Sequence, residues 1–243
     1  MALHPDPWLS AVLARPVFAV TLPPAASEAQ LAARCRQLEQ HARQQAAALY
    51  FAKVDTTAVA AVRALSRLGF FVVDVNLTLA VTRERWLHLP ADGGCVVQEA
   101  AAEHHAALLH IAETCFRYSR FHLDPLLPPA LAHRLKRCWV QSYCEGKRGE
   151  RLFVALAAGQ PVGFLAALRA APHTGVIDLV GVHPAHQRRG VGQALVRHAL
   201  AYYRDTCSEV QVGTQAANIP SVRLYERLGF TLVRSAYVMH WHV

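Results

Sequence analysis

No run of the chain approaches the roughly 20 uninterrupted apolar residues of a membrane-crossing helix, so no membrane span is expected. None of the six cysteines forms a C-x-x-C pair, and no H-E-x-x-H occurs. The usual zinc spacings are therefore missing, His104, His105 and His110 supply none, and no metal is expected. The basic residues are scattered, without a ribonucleoprotein signature or finger spacing, so nucleic acid is not an expected partner. The apolar stretch 11–20 has no basic region before it, and Asp6 and prolines interrupt it, which is unlike a secretion signal. The cysteines then read as reduced thiols, and the location as cytoplasmic. Charged residues make up only 17% of the chain and hydrophobic ones 53%, which excludes disorder and allows a substantial core.

What the chain does have is positive charge: +8 overall, with fourteen histidines besides. That excess suits a phosphate-bearing ligand. The 243 residues fit one large or two small domains.

The most informative stretch is 176–192, VIDLVGVHPAHQRRGVG. It reads as an apolar strand, a turn at His183-Pro184, a glycine-punctuated loop and the start of a helix. The loop Gln187-Arg188-Arg189-Gly190-Val191-Gly192 has the pattern Q-x-x-G-x-G, and Val191, Leu195, Ala199 and Tyr202 follow at helical spacing. Backbone N–H groups at a helix N-terminus converge on one spot, and the helix dipole adds to them, which makes a site for a diphosphate.

Earlier segments read as β-α-β-α-β: a strand over 16–22, a helix over 27–48 with Ser27 as N-cap, a strand over 49–54, a helix over 58–68 and a strand over 70–81. A turn-rich segment over 83–94 marks a boundary between domains 1–88 and 95–243. Beyond it come a short strand over 95–98, helices over 101–116 and 129–145, a hairpin over 151–169, a strand over 209–213, a helix over 218–228 and a last strand over 230–242.

The halves repeat one another. Residues 62–70, VRALSRLGF, align with 222–230, VRLYERLGF, at an offset of 160. The shared residues serve packing, whereas Asn218 replaces Ala58 and Tyr225 replaces Leu65, two helical turns apart on one face. The first half has no Q-x-x-G-x-G loop.

Taken together, the strand, the loop, Asn218 and Tyr225 resemble the GNAT superfamily of acetyl-CoA-dependent N-acetyltransferases over residues 95–243. Leu68-Gly69-Phe70, Ser119-Arg120-Phe121 and Thr214-Gln215 more narrowly resemble the TDP-fucosamine acetyltransferases, a sugar-nucleotide N-acetylating family whose N-terminal domain is a truncated GNAT fold. The resemblance implies an α/β (α+β) GNAT fold with a mixed sheet splayed between two central strands. A truncated GNAT-like domain would precede it, and acetyl-CoA would lie in the gap. The acceptor would be an amine of a small molecule, in the narrower case a nucleotide sugar.

On that resemblance, the amides of Gln187 to Gly192 hold the pyrophosphate, aided by Arg188 and Arg189, while the backbone near Val180 and Val182 holds the pantetheine arm and Asn218 the coenzyme. Tyr225 is the expected general acid, a phenol matched to a leaving thiol. The general base is left open between Asp178, expected on the same strand face as Val180 and Val182, His183, His122 and a water relay. Arg120 is the expected contact for an acceptor diphosphate. Two alternatives stay open: another amine, such as an amino acid, polyamine, antibiotic or protein N-terminus, and a non-catalytic acyl-CoA-binding module. The free edge of a half-domain leaves room for a homodimer.

Overall fold

A computed structural model describes residues 2–23, 27–45, 47–86 and 95–243. The first half contains β1 (Ala2–Pro5), α1 (Pro7–Leu13), β2 (Val17–Thr21), α2 (Glu28–Ala42), β3 (Leu49–Asp55), α3 (Val59–Arg67), β4 (Phe71–Thr82) and the single turn α4 (Arg83–Trp86). The second contains β5 (Val96–Glu99), α5 (His105–Thr114), α6 (Pro129–Cys144), β6 (Arg151–Ala157), β7 (Gln160–Ala171), β8 (Thr174–Val182), α7 (Val191–Tyr203), β9 (Glu209–Gln215), α8 (Ile219–Arg227) and β10 (Thr231–His242). All ten strands join one mixed sheet in the order β1-β2-β3-β10-β4-β9-β8-β7-β6-β5, the mixed α/β architecture expected.

Local chemistry explains most boundaries. Ser27 accepts from Gln30 N–H while the Gln30 side chain accepts from Ser27 N–H, a reciprocal box that starts α2. The helix stops at Ala42, short of the expected 48, because Gln44 and Gln45 close tight turns back to His41 and Ala42 before the buried Leu49 and Tyr50 enter β3. The apolar stretch 11–20 is shared between α1, capped by Asp6, and β2. Leu9 and Leu13 of α1 bury against Leu127 and Leu135, an element pair that the sequence analysis did not anticipate.

The repeat holds through the fold. β3 and β9, α3 and α8, and β4 and β10 each begin and end 160 positions apart. Phe70 N–H bonds to Leu65 O at 3.2 Å, and Phe230 N–H to Tyr225 O at 3.0 Å. Ala58 and Asn218 share one backbone conformation, φ −83° and −85°, but only Asn218 adds a side-chain cap.

The last strands of the two units are exchanged. β10 lies antiparallel to β3, with Ala236 opposite Asp55, and β4 lies antiparallel to β9, with Asn76 opposite Gln215. β4 and β10 also pair with each other, and there Asn76 faces Ala236, its own repeat partner. The edge that a half-domain would leave free beside β3 is thus filled from within the chain. The expected boundary falls on the 83–94 segment, of which 87–94 lie outside the described residues. Pairing crosses that boundary in both directions.

One face of the sheet carries α2, α3, α7 and α8 over two apolar clusters, around Tyr50 and Leu65 and around Leu195 and Tyr203. The other carries α1, α5 and α6, around Leu108 and Phe164 and around Leu9 and Leu135. A chain cut to residues 95–243 would leave the twelve residues of β10 with neither sheet neighbour. This fragment should aggregate; a soluble fragment with a cooperative thermal transition would contradict the exchange.

Candidate active site

The site begins where two parallel strands separate. β8 and β9 pair over Thr174–Glu209, Gly175–Val210, Val176–Gln211 and Ile177–Val212 and no further, although β8 runs on to Val182 and β9 to Gln215. The separation starts at a bulge. Ala166 of β7 faces Leu179 while Ala167 faces Ile177, so Asp178 is the extra residue. Ile177, Val180 and Val182 then pack toward α7, and Leu179 packs toward α5 and α6.

The bulge overturns one expectation. Asp178 does not share a face with Val180 and Val182; it turns to α6, and both its oxygens are occupied. Oδ2 accepts from Trp139 Nε1 at 2.9 Å, the Tyr143 hydroxyl at 2.7 Å and Arg148 Nε at 2.9 Å, and Oδ1 accepts from Arg148 at 3.4 Å. Burial opposes its charge, but Arg148 and the two neutral donors outweigh burial and hold the carboxyl below the usual range. A carboxylate so engaged is an anchor for the bulge and a poor proton acceptor.

Beside the gap lies the glycine loop. Gly190, at φ +82°, is the N-cap of α7, in the left-handed region that other residues adopt at a cost. No side chain caps this helix, and the first N–H to find a helical partner is that of Ala194, bonded to Gly190 O at 3.0 Å. The amides of Val191, Gly192 and Gln193 are therefore available to an anion. Gln187 Nε2 ties the loop to Val182 O at 3.1 Å. Within β8, a Cβ on Gly181 would come 2.4 Å from Phe164, so only glycine fits there. Cys115 Sγ lies 2.9 Å from that same Cβ position, and burial pushes its thiol up to about 12.

A cavity of about 1300 Å³ joins these parts. Val180, Val182, Gln187, Arg188, Gly190, Val191, Gly192, Asn218 and Tyr225 all line it; Arg189 is exposed and does not. Asn218 Oδ1 accepts from Ser221 N–H at 3.4 Å as a helix cap. Tyr225 is 4% exposed, packs in a tilted arrangement against Phe230 and has no hydrogen-bond partner for its hydroxyl among the described residues. Burial pushes that phenol well above its ordinary value, so the group keeps its proton at neutral pH.

Past the gap, the cavity continues under α6 onto the floor of β3, β10 and β4. Lys53, Val238 and Asp74 stand there in one row across three strands. Arg117, Arg120, Lys136 and Arg234 add positive charge to its walls. Lys136 sits near Phe116 and Trp139, and burial lowers its ammonium to about 8. Lys53, Asp74, Asn76 and Lys136 line the cavity without belonging to any motif read from the sequence. The signal was there in β4: Asp74, Asn76 and Thr78 alternate with apolar residues, which marks a polar face.

Arg120 lies 4.0 Å over Phe51 and 4.4 Å over Phe121 and reaches His240 Nε2 at 3.1 Å. His240 Nδ1 and His242 Nε2 meet the same oxygen of buried Asp124 at 2.6 and 2.8 Å, and Arg15 reaches His242 Nδ1 at 3.2 Å. Asp124, His240 and His242 have the composition of a cation site. An arginine at each outer nitrogen makes that nitrogen the acceptor, so each inner nitrogen carries the proton and has no lone pair for a metal. Burial lowers His240 to about 4, which keeps it neutral. Of the other base candidates, His122 bonds Ser119 at 2.6 Å and is lowered by burial to about 4, and His183 caps Ala185.

The profile of the acetyltransferase (GNAT) family matches residues 106–230, just over half of the chain and all of the β8–α8 site. The chain belongs to the GNAT family of acetyltransferases. It is 30% identical over 139 residues to the spore coat polysaccharide biosynthesis protein SpsD of Bacillus subtilis (strain 168), covering 55% of this chain and 46% of that one. It is 43% identical over 61 residues to the mycothiol acetyltransferase of Pseudarthrobacter chlorophenolicus, 25% of this chain and 19% of that one. These matches span about half the length of the curated relatives or less. A solved GCN5-related N-acetyltransferase from Sphaerobacter thermophilus shares the GNAT fold over 99% of this chain and 75% of its own, with a TM-score of 0.66 at 18% identity.

Asp178→Ala would orphan Arg148, Tyr143 and Trp139 beneath α6. It should cost about 3 kcal/mol in urea unfolding; a loss under about 0.5 kcal/mol, the size of an ordinary surface change, would show that the bulge needs no anchor. Because the folded carboxyl lies below its unfolded value, its contribution is present above the unfolded value and is lost as the pH falls through the folded one.

Proposed function

We propose that the protein transfers the acetyl group of acetyl-CoA to the amine of an acceptor bearing anionic groups, of the amino-sugar nucleotide kind, as in the TDP-fucosamine acetyltransferases. One observation carries this reading. The gap between β8 and β9 opens between uncapped amides on one side and a cationic pocket on the other, and Tyr225 lines the same cavity. The residues present suit the coenzyme: Val191, Gly192 and Gln193 offer amides to its pyrophosphate, and the separated edges of β8 and β9 offer backbone to its pantetheine. Asn218 borders the same channel.

Tyr225 serves as the general acid for the departing thiolate. Burial raises the phenol, and the same surroundings raise a thiol, so the two remain comparable. Lys53, Arg120 and Arg234 receive the acceptor's anionic groups, and the guanidinium of Arg120 is held in place by the rings of Phe51 and Phe121 and by His240. A saccharide acceptor is also favoured by the similarity to a protein named for polysaccharide biosynthesis. Residues 1–88 are a truncated counterpart of the catalytic half that contributes Lys53 and Asp74 to the acceptor side of the site.

Thiol release measured over amino-sugar nucleotides, amino acids, polyamines and peptides should be fastest with an amino-sugar nucleotide; preference for an amine without anionic groups would contradict the acceptor reading. Tyr225→Phe should lower kcat by about 100-fold while calorimetric acetyl-CoA binding is kept, and an unchanged kcat would remove Tyr225 as the acid. Gly190→Asp places a negative charge and a strained φ at the α7 N-terminus and should abolish acetyl-CoA binding; normal binding would move the pyrophosphate elsewhere.

A further inference from the structure

We propose that Asp74, carried on the exchanged strand β4, receives the acceptor's ammonium group and takes its proton before acetyl transfer. Asp74, Asn76 and Thr78 form the face of β4 that floors the cavity, opposite the face on which Leu77, Leu79 and Val81 join the α7 core. Asn76 sits opposite Gln215, the last residue of β9. Two residues further along the same face, ~6.6 Å away at strand spacing, Asp74 lies past the end of β9. That is the end toward which the gap from β8 widens.

The surroundings fit a group kept for a ligand. Asp74 is only 7% exposed, yet it makes no ion pair and no hydrogen bond to another side chain among the described residues. Its charged neighbours are Lys53 on β3 and Arg120 on the α5–α6 linker, with Arg234 on β10 and Lys136 on α6 along the same cavity. Burial outweighs its hydrogen bond from Val75 N–H and the charges of Lys53 and Arg120, and raises the carboxyl to about 6. A buried carboxylate with no ion-pair partner is a costly arrangement. The fold does not require it, because the repeat partner of Asp74 is Arg234, on the same cavity. An incoming ammonium supplies the missing partner, while the surrounding cations face the acceptor's anionic part.

The step balances. An N–H bond of the ammonium breaks, and the proton passes to an Asp74 oxygen. The freed lone pair attacks the thioester carbon, a C–N bond forms and the C–S bond breaks. The leaving sulfur takes the Tyr225 hydroxyl proton, and the phenolate recovers one from the attacking nitrogen. Asp74 then returns its proton to solvent, so ammonium and thioester become amide, thiol and one released proton.

The inference rests on the acetyl-transfer reading, and its test separates the two. In the full chain, Asp74→Asn should lower kcat/KM by about 100-fold or more with the best acceptor of the screen, while acetyl-CoA binding stays unchanged. The acid limb near pH 6, where the carboxylate is lost, should vanish, and Asp74→Glu should restore part of the rate. Independently of any acceptor, the Asp74 carboxyl 13C resonance should titrate near 6, and Asp74→Asn should melt a few degrees higher at pH 7, because a costly buried charge is gone. A rate within two-fold of wild type, or a titration near the ordinary 3.8, overturns the role of Asp74. Loss of acetyl-CoA binding in the wild type would instead overturn the acetyl-transfer reading.

Discussion

Two parallel strands that pair for four residues and then part set the conditions for everything else in this molecule. The parting opens backbone edges and a channel through the sheet, in a region where a closed sheet would bury its polar groups against one another. It has a local cause. Asp178 is inserted as an extra residue against β7, and Arg148, Tyr143 and Trp139 draw it toward α6. The strand changes course at that point, so Val180 and Val182 face the glycine loop while Asp178 turns away. Asp178, first considered as a base, belongs instead to the framework that creates the gap.

The second constraint is the exchange of β4 and β10 about the Asn76–Ala236 pair. It satisfies the inner edges of both half-sheets within one chain and removes the exposed ladders that invite aggregation. It also decides which residues meet. Lys53 and Asp74 come from the first half, Arg234 and Val238 from the second, and they share a floor because β10 lies between β3 and β4. The two halves thus contribute differently: the loop, Asn218, Tyr225, Arg120 and Arg234 come from the second, and Lys53 and Asp74 from the first.

Much of this was legible in the sequence. Gly190 announced itself because a left-handed N-cap before a helix leaves few choices of residue, and the offset of 160 placed α3 against α8 with no shift at either end. Tyr225 and Asn218 stood out because Leu65 and Ala58 show what packing alone accepts. What escaped was non-local or broke a period. The bulge at Asp178 defeats any count by twos along β8, since one inserted residue reverses the faces beyond it. Strand exchange depends on pairing between residues far apart in sequence, such as Ala236 with Asp55 and Asn76 with Gln215, which no window along the chain contains. Asp74 looked like an ordinary polar residue in a strand until the exchange placed it under α6.

The central claim, that the β8–β9 gap and the α7 N-terminus form the coenzyme channel, is tested most directly by a crystal structure of the chain with CoA bound. The account predicts pyrophosphate oxygens within hydrogen-bond reach of the Val191 to Gln193 amides, with the pantetheine between the separated strands and the thiol end beside Tyr225. CoA bound away from the α7 N-terminus, or β8 and β9 closed into continuous pairing beyond Ile177 and Val212, would contradict it.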